Sequence, residues 1–325
     1  MKAIVCNEFS AVENLQFQDV DDPVVGEDEV LVDVAACGVN FPDSLLVQGL
    51  YQLKPELPFI PGSEVAGVIS EVGPRVKHLK VGMHVIGICR LGGYAQKVAI
   101  KANQVMPIPD VIPMPEAAAL TTAHATAHHA LKQRAQIKAG ETLLVTGAAG
   151  GTGLAAVQIA KLMGAKVIAA CSSDEKCEVA KKNGADITIN YSNDDLKDTV
   201  KTLTDNKGVD VVYECVGGDT FHACTRVMAW SGRLLVIGFA GGDIPKFPVN
   251  LALVKGYSVV GVFWGSFIAH QPLDFVENMK ELVQWCVEGK VKVEIDHAYP
   301  LSDAVAALDR VTSRQVKGKV VLLAK

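Results

Sequence analysis

The stretch Val145–Lys176, VTGAAGGTGLAAVQIAKLMGAKVIAACSSDEK, places its glycines where a short apolar run, Leu143–Val145, gives way to a helical pattern over Leu154–Met163. The N–H groups that open a helix have no partner inside it, and the positive end of the helix dipole lies behind them. That combination suits a pyrophosphate. Against G-x-G-x-x-G, the three glycine positions hold Ala148, Gly150 and Gly153. The first is alanine, but Gly150 still lets phosphates approach the backbone and Gly153 still lets helix and strand pack closely. About twenty residues on, where an acid would bond the ribose of NAD, stand Cys171 and Ser172, followed by Ser173 and Lys176. Two hydroxyls and an ammonium match a 2′-phosphate, so the expected cofactor is NADPH rather than NADH, with Asp174 and Glu175 nearby as the opposing feature.

Such a turn needs a sheet behind it. From Gly140 onward, strand-like runs ETLLVTG, AKVIAAC, ADITIN, VDVVYE, GRLLVIG and YSVVGVFW alternate with helical segments such as Gly151–Met163 and Thr220–Trp230. The alternation predicts an α/β fold with a doubly wound, parallel, six-stranded Rossmann sheet. Gly164 and Asn183–Gly184 fit helix stops. Before it, residues 1 to about 108 read as strands and turns, and MPEAAALTTAHATAHHAL opens a helix. After it, Leu273–Glu288 is amphipathic, with Val276, Met279, Leu282, Val283 and Cys286 on one face and Gly289 as its end, and KVVLLA is a last strand. The expected division is a β-rich domain over 1–122, completed by 266–325, and a dinucleotide domain over 123–265.

Bulk properties narrow the function. At 325 residues two domains are expected. A net charge of −5, with RVKHLK as the densest basic cluster, gives no support for nucleic-acid binding. No apolar run is long enough for a membrane span, and MKAIVCNEF has no signal-segment pattern, so a cytoplasmic location is the expectation. The eight cysteines contain no C-x-x-C pair, which argues against a zinc ribbon or redox dithiol. In HATAHH, His124 and His128 share a helix face without a third ligand, a pattern that belongs to surface or packing more often than to metal.

The segment Gly140–Lys161, GETLLVTGAAGGTGLAAVQIAK, including Gln158 and Lys161, closely resembles quinone oxidoreductases and zeta-crystallins, in the zinc-free branch of the medium-chain dehydrogenase/reductase superfamily. CGVNFPDSLLVQGLY, PFIPGSEVAGVISEVG, GADITINYS and ECVGGD extend the resemblance along nearly the whole chain, in the family's order. It implies a GroES-like first domain that also receives the carboxyl tail. Zinc-dependent relatives carry a cysteine and a histidine where Asn40 and Ser63 stand, and a four-cysteine lobe where MHVIGICRLGGYAQ runs straight through, so no metal is implied.

By the same resemblance, Asn40 and Thr126 line the nicotinamide end, and Gly150, Gly151 and Thr152 meet the pyrophosphate. Ser172, Ser173, Lys176 and Tyr191 surround the adenosine phosphate, and Arg314 in TSRQVKGK reaches its 2′-phosphate from the tail. Val216, Phe239, Ala240, Phe263, Trp264 and Gly265 complete the wall.

Hydride transfer needs orientation and a dry cavity more than a strong acid, and then a donor for the oxygen that becomes negative. Tyr51 is the candidate donor, with Asn40 orienting the acceptor and Asp43 holding its loop or bonding the ribose rather than shuttling a proton. The expected substrate is a small-molecule quinone. Leu45 and Val47 replace an aromatic residue and an arginine frequent in quinone reductases, and the more apolar mouth this suggests keeps open an alkenal, enone or enoyl-thioester C=C acceptor. A non-catalytic NADPH-binding structural or sensor protein also stays open, since fold does not fix function. A short-chain dehydrogenase is excluded, because no tyrosine has lysine four positions later. YSVVGVFW, as an apolar edge strand, predicts a homodimer.

Overall fold

Glu29–Val39 is an eleven-residue strand buried along most of its length, and a strand buried this way needs partners on both edges. In the computed structural model, which describes residues 1–324, it pairs antiparallel with Glu64–Val72, Lys97–Lys101 and Lys319–Leu323. With Ile295–Pro300, His84–Ile88 and Val105–Pro107 these form one sheet, and Lys2–Val5 with Gln16–Asp19 form a separate pair. Valines, isoleucines and leucines of these strands build the core, onto which Tyr51 and Leu53 pack while half-exposed. This unit comprises Met1–Thr122 and Lys292–Lys325.

The second unit is Ala123–Val291. Its six parallel strands lie in the order Ile187–Asn190, Lys166–Cys171, Thr142–Thr146, Val209–Glu214, Met228–Val236 and Ser258–Gly261. In chain order this is 3-2-1-4-5-6, the doubly wound arrangement whose direction reverses between the first and fourth strands. The glycine turn leaves the first of these, and Cys215–Gly218 leaves the fourth. The crevice that such sheets use for ligands therefore opens at this turn.

Three boundaries differ from the sequence expectation. The chain returns to the β-rich unit at 292 rather than 266, because Trp264–His270 and Pro272–Val287 are helices held on the sheet unit: Gln133 Nε2 donates to Asn278 Oδ1 at 3.0 Å, and the rings of His129 and Phe267 stack. The last sheet strand is only Ser258–Gly261, with Phe263 capping the following helix. It holds the sheet edge and is largely exposed, the position from which pairing with a second copy was expected. The helix expected over Thr220–Trp230 is Gly218–Arg226, since Met228 already belongs to a strand. Among the described residues no helix is long and apolar enough to cross a membrane.

Candidate functional site

The strand Thr142–Thr146 delivers the chain to Gly147, whose φ of +58° suits glycine, and the helix Gly151–Leu162 begins with Gly150 as its cap. A Cβ on Gly153 would lie 2.3 Å from the Gly147 carbonyl oxygen and 2.8 Å from Ala148 Cα, so only glycine lets the helix sit this close to its strand. At Gly150 a Cβ would meet only the Gly147 oxygen, at 3.4 Å, which leaves the approach to the backbone open on that side. The Thr152 hydroxyl is already engaged, donating to the Ala123 carbonyl at 3.3 Å with the buried Tyr213 hydroxyl 2.5 Å away. What Thr152 can offer a pyrophosphate is its backbone N–H.

Opposite the turn, a buried carboxylate that the sequence reading missed shapes the other lip. Glu214 Oε1 accepts from Thr146 Oγ1 (3.1 Å), Val216 N (2.9 Å) and Gly217 N (3.0 Å), and burial raises its pKa. Ala240 N and Gly241 N in turn donate to the carbonyls of Cys215 and Val216, which brings Val216, Phe239 and Ala240 together. Phe263 is exposed at the start of Trp264–His270, Gly265 lies under its ring, and Trp264 packs edge-on against Phe275 with its indole N–H buried and unpartnered. Thr126 is half-buried on the helix Met114–His129.

Ser172, Ser173 and Lys176 converge at the end of Lys166–Cys171. Ser173 caps the helix Asp174–Lys182 by accepting from Lys176 N at 3.3 Å, and Lys176 Nζ donates to Ser172 Oγ at 3.1 Å. Tyr191 follows the neighbouring strand and donates its N–H to the Cys171 carbonyl. Of the two acids that oppose a phosphate here, Asp174 accepts from Asn190 Nδ2 at 2.7 Å, and Glu175 follows it in the first turn of the helix.

In the β-rich unit the expected residues meet partners that local patterns did not reveal. Asn40 caps the helix Phe41–Val47. Its Nδ2 donates to Glu64 Oε1 at 2.7 Å, while its Oδ1 accepts from Lys319 Nζ at 2.6 Å. Lys319 Nζ also lies 2.9 Å from Glu64 Oε1, and Glu64 Oε2 accepts from Thr122 N at 2.6 Å. Both charges are buried, and a Cβ on Gly38 would fall 2.2 Å from Glu64 Oε1, so that glycine makes room for the carboxylate. Lys319 could have been noticed as a lysine opening the apolar run KVVLLA, and Glu64 as an acid inside GSEVAG.

Asp43 Oδ2 accepts from both Asn40 N (2.8 Å) and the Tyr94 hydroxyl (2.9 Å). The geometry is that of a residue holding its loop. Burial pushes its pKa up to about 6 despite these two hydrogen bonds. Between about pH 4 and 6 the folded chain therefore keeps a proton that the unfolded chain releases, and stability falls as pH rises through that window. Because both donors meet one oxygen, an amide carbonyl can serve them. Asp43→Asn is expected to stabilise the unit by about 1–3 kcal/mol at pH 7, with the gain vanishing near pH 4. Urea unfolding across that range checks this; a gain that persists at pH 4 would reject the carboxylate as its source.

Tyr51 is half-buried, and burial together with the Asp43 charge raises its pKa, so its hydroxyl is a proton donor at neutral pH. Val47, expected to line an apolar mouth, is instead in the core; Leu45 is half-buried. His124 and His128 are buried, with His128 Nε2 2.9 Å from Glu281 Oε2 and its ring against Trp285, a packing role. Arg314 is exposed in a left-handed turn after Ala304–Thr312.

Residues 26–110 match the alcohol dehydrogenase GroES-like domain, and 151–288 match the zinc-binding dehydrogenase family model. Quinone oxidoreductase-like protein 2 of Rattus norvegicus is 41% identical over all of this chain and 92% of its own length. The crystal structure of Escherichia coli quinone oxidoreductase complexed with NADPH superposes with a TM-score of 0.93 at 32% identity, covering 99% of this chain and 100% of that one. The CurK enoyl reductase structure gives 0.90 at 28% identity, over 99% and 98%. With a GroES-like unit, a doubly wound dinucleotide sheet and full-length similarity of this order, the chain belongs to the quinone oxidoreductase family of medium-chain dehydrogenases/reductases.

Proposed function

We propose that this chain is an NADPH-dependent reductase of quinones that works by hydride transfer and without a bound metal. The observation that carries the reading is the corner made by Ser172, Ser173 and Lys176, where hydroxyls and an ammonium meet and Asp174 is engaged by Asn190. The open backbone at Gly150 and the start of the helix Gly151–Leu162 fit a pyrophosphate beside it. The NADPH complex of the Escherichia coli relative agrees with this choice of cofactor.

Bound NADPH supplies the hydride. A quinone that accepts it becomes a phenolate, and one proton completes the hydroquinone and leaves NADP⁺. The Tyr51 hydroxyl, protonated at neutral pH, holds that oxygen as charge builds, and the Asn40 amide orients the acceptor. Donor chemistry speaks against zinc: Asn40 and Ser63 offer an amide and a hydroxyl, the Glu64 carboxylate is paired with an ammonium, and no group of three His, Cys, Asp or Glu among the described residues could hold a metal.

The test is NADPH oxidation against an ortho-quinone, a para-quinone and a 2-alkenal. Quinones are expected to turn over, and Tyr51→Phe is expected to lower kcat by about 10²-fold with little change in NADPH affinity. Preference for the alkenal would favour the second reading, a C=C reductase, which the likeness to the CurK enoyl reductase supports. Tight NADPH binding without turnover would replace both with a sensor or structural role.

A further inference from the structure

Lys319 is a buried ammonium in the β-rich unit, paired with the Glu64 carboxylate. It is 5% exposed, its carboxylate partner Glu64 is fully buried, and it donates to Asn40 Oδ1, Glu64 Oε1 and the Val39 carbonyl at 2.6, 2.9 and 3.2 Å. All three donors of the ammonium are thus used. A pair placed this deep gains little stability over an apolar pair of the same size, which makes it a poor purely structural device.

What the pair does to Asn40 is specific. An ammonium on Oδ1 and a carboxylate on Nδ2 allow the amide one orientation, because a half-turn would set N–H against N–H and oxygen against oxygen. One Nδ2 hydrogen remains for a ligand. The fixed positive charge on Oδ1 also polarises the amide, in surroundings where charge is weakly screened.

We propose that Lys319 is the positioning residue of the acceptor site: through Asn40 it fixes and polarises the amide that meets the oxygen on which negative charge develops. This rests on the reading that Asn40 faces the acceptor. Lys319 does not touch the acceptor itself. Its effect should scale with how much charge stabilisation the acceptor requires.

The experiment uses a series of substituted para-quinones that spans reduction potential, with the wild-type chain and Lys319→Met, and follows NADPH oxidation. Lys319→Met is expected to lower kcat by about 10²-fold for the weakest acceptor and by less than about tenfold for the strongest, so the slope of log kcat against potential steepens. NADPH affinity, read separately by binding, should stay within about threefold. If Lys319→Met does not fold, Glu64→Gln with Lys319→Met removes both buried charges, and the same steeper slope is expected. A uniform fall across the series means a structural role and overturns the proposal. Absence of turnover by the wild-type chain on every quinone removes the reductase reading, and the proposal with it.

Discussion

Replacing Glu64 with alanine is expected to destabilise the β-rich unit by about 3–5 kcal/mol at neutral pH, because the Lys319 ammonium would stay buried without its carboxylate. Two more groups lose an acceptor in the same change, Asn40 Nδ2 and Thr122 N. The double variant Glu64→Ala with Lys319→Met should recover much of the loss, since removing both charges of a buried pair is far less costly than removing one. The probe matters. All three tryptophans, at 230, 264 and 285, lie in the sheet unit, so their fluorescence does not report on this cluster. Hydrogen exchange over Glu29–Val39, the strand that runs into Asn40, reads the right unit. Protection there that stays within about 1 kcal/mol of wild type would mean that Glu64 and Lys319 are not the buried pair described above.

The same cluster marks where a sequence stops being readable. The glycine turn and the strands of the parallel sheet are each written within a short stretch, and local spacing was enough to find them. Glu64, Lys319 and Tyr94 are ordinary residues in their own neighbourhoods. They become a site only because Lys319–Leu323 pairs antiparallel with Glu29–Val39 in a register that sets Val320 opposite Val39, and one step further brings Lys319 to Asn40. Nothing in KVVLLA states that register. The return point of the chain failed to appear for a related reason. The apolar face of Pro272–Val287 would suit either unit, and what decides is the polar pair Gln133–Asn278, buried between elements far apart in sequence. Val47 shows the opposite error, a residue assigned to a mouth by position in a motif when its helix face turns it into the core.

Lys176→Glu is the change expected to act on the cofactor alone. Lys176 is the third residue of the helix Asp174–Lys182, and its backbone N–H, not its side chain, meets the Ser173 cap. A glutamate there completes the pattern Ser-x-x-Glu, in which the acid reaches back to the cap residue's N–H, and it also suits the helix dipole. The helix should therefore hold or gain stability, and a loss of binding could not be blamed on unfolding. What is lost is an ammonium beside Ser172 Oγ, and what is added is a negative charge facing the proposed 2′-phosphate. Charge-assisted contacts of this kind are each worth roughly 1.5–3 kcal/mol. NADPH affinity should therefore fall by about 10²-fold while NADH affinity changes by less than about threefold. The gap should narrow at high salt, as expected for charges that are only half-buried. Titration of both nucleotides by fluorescence checks this. Equal losses for the two would point to the pyrophosphate turn instead, and no loss for either would remove Lys176 from the site and, with it, the main ground for choosing NADPH.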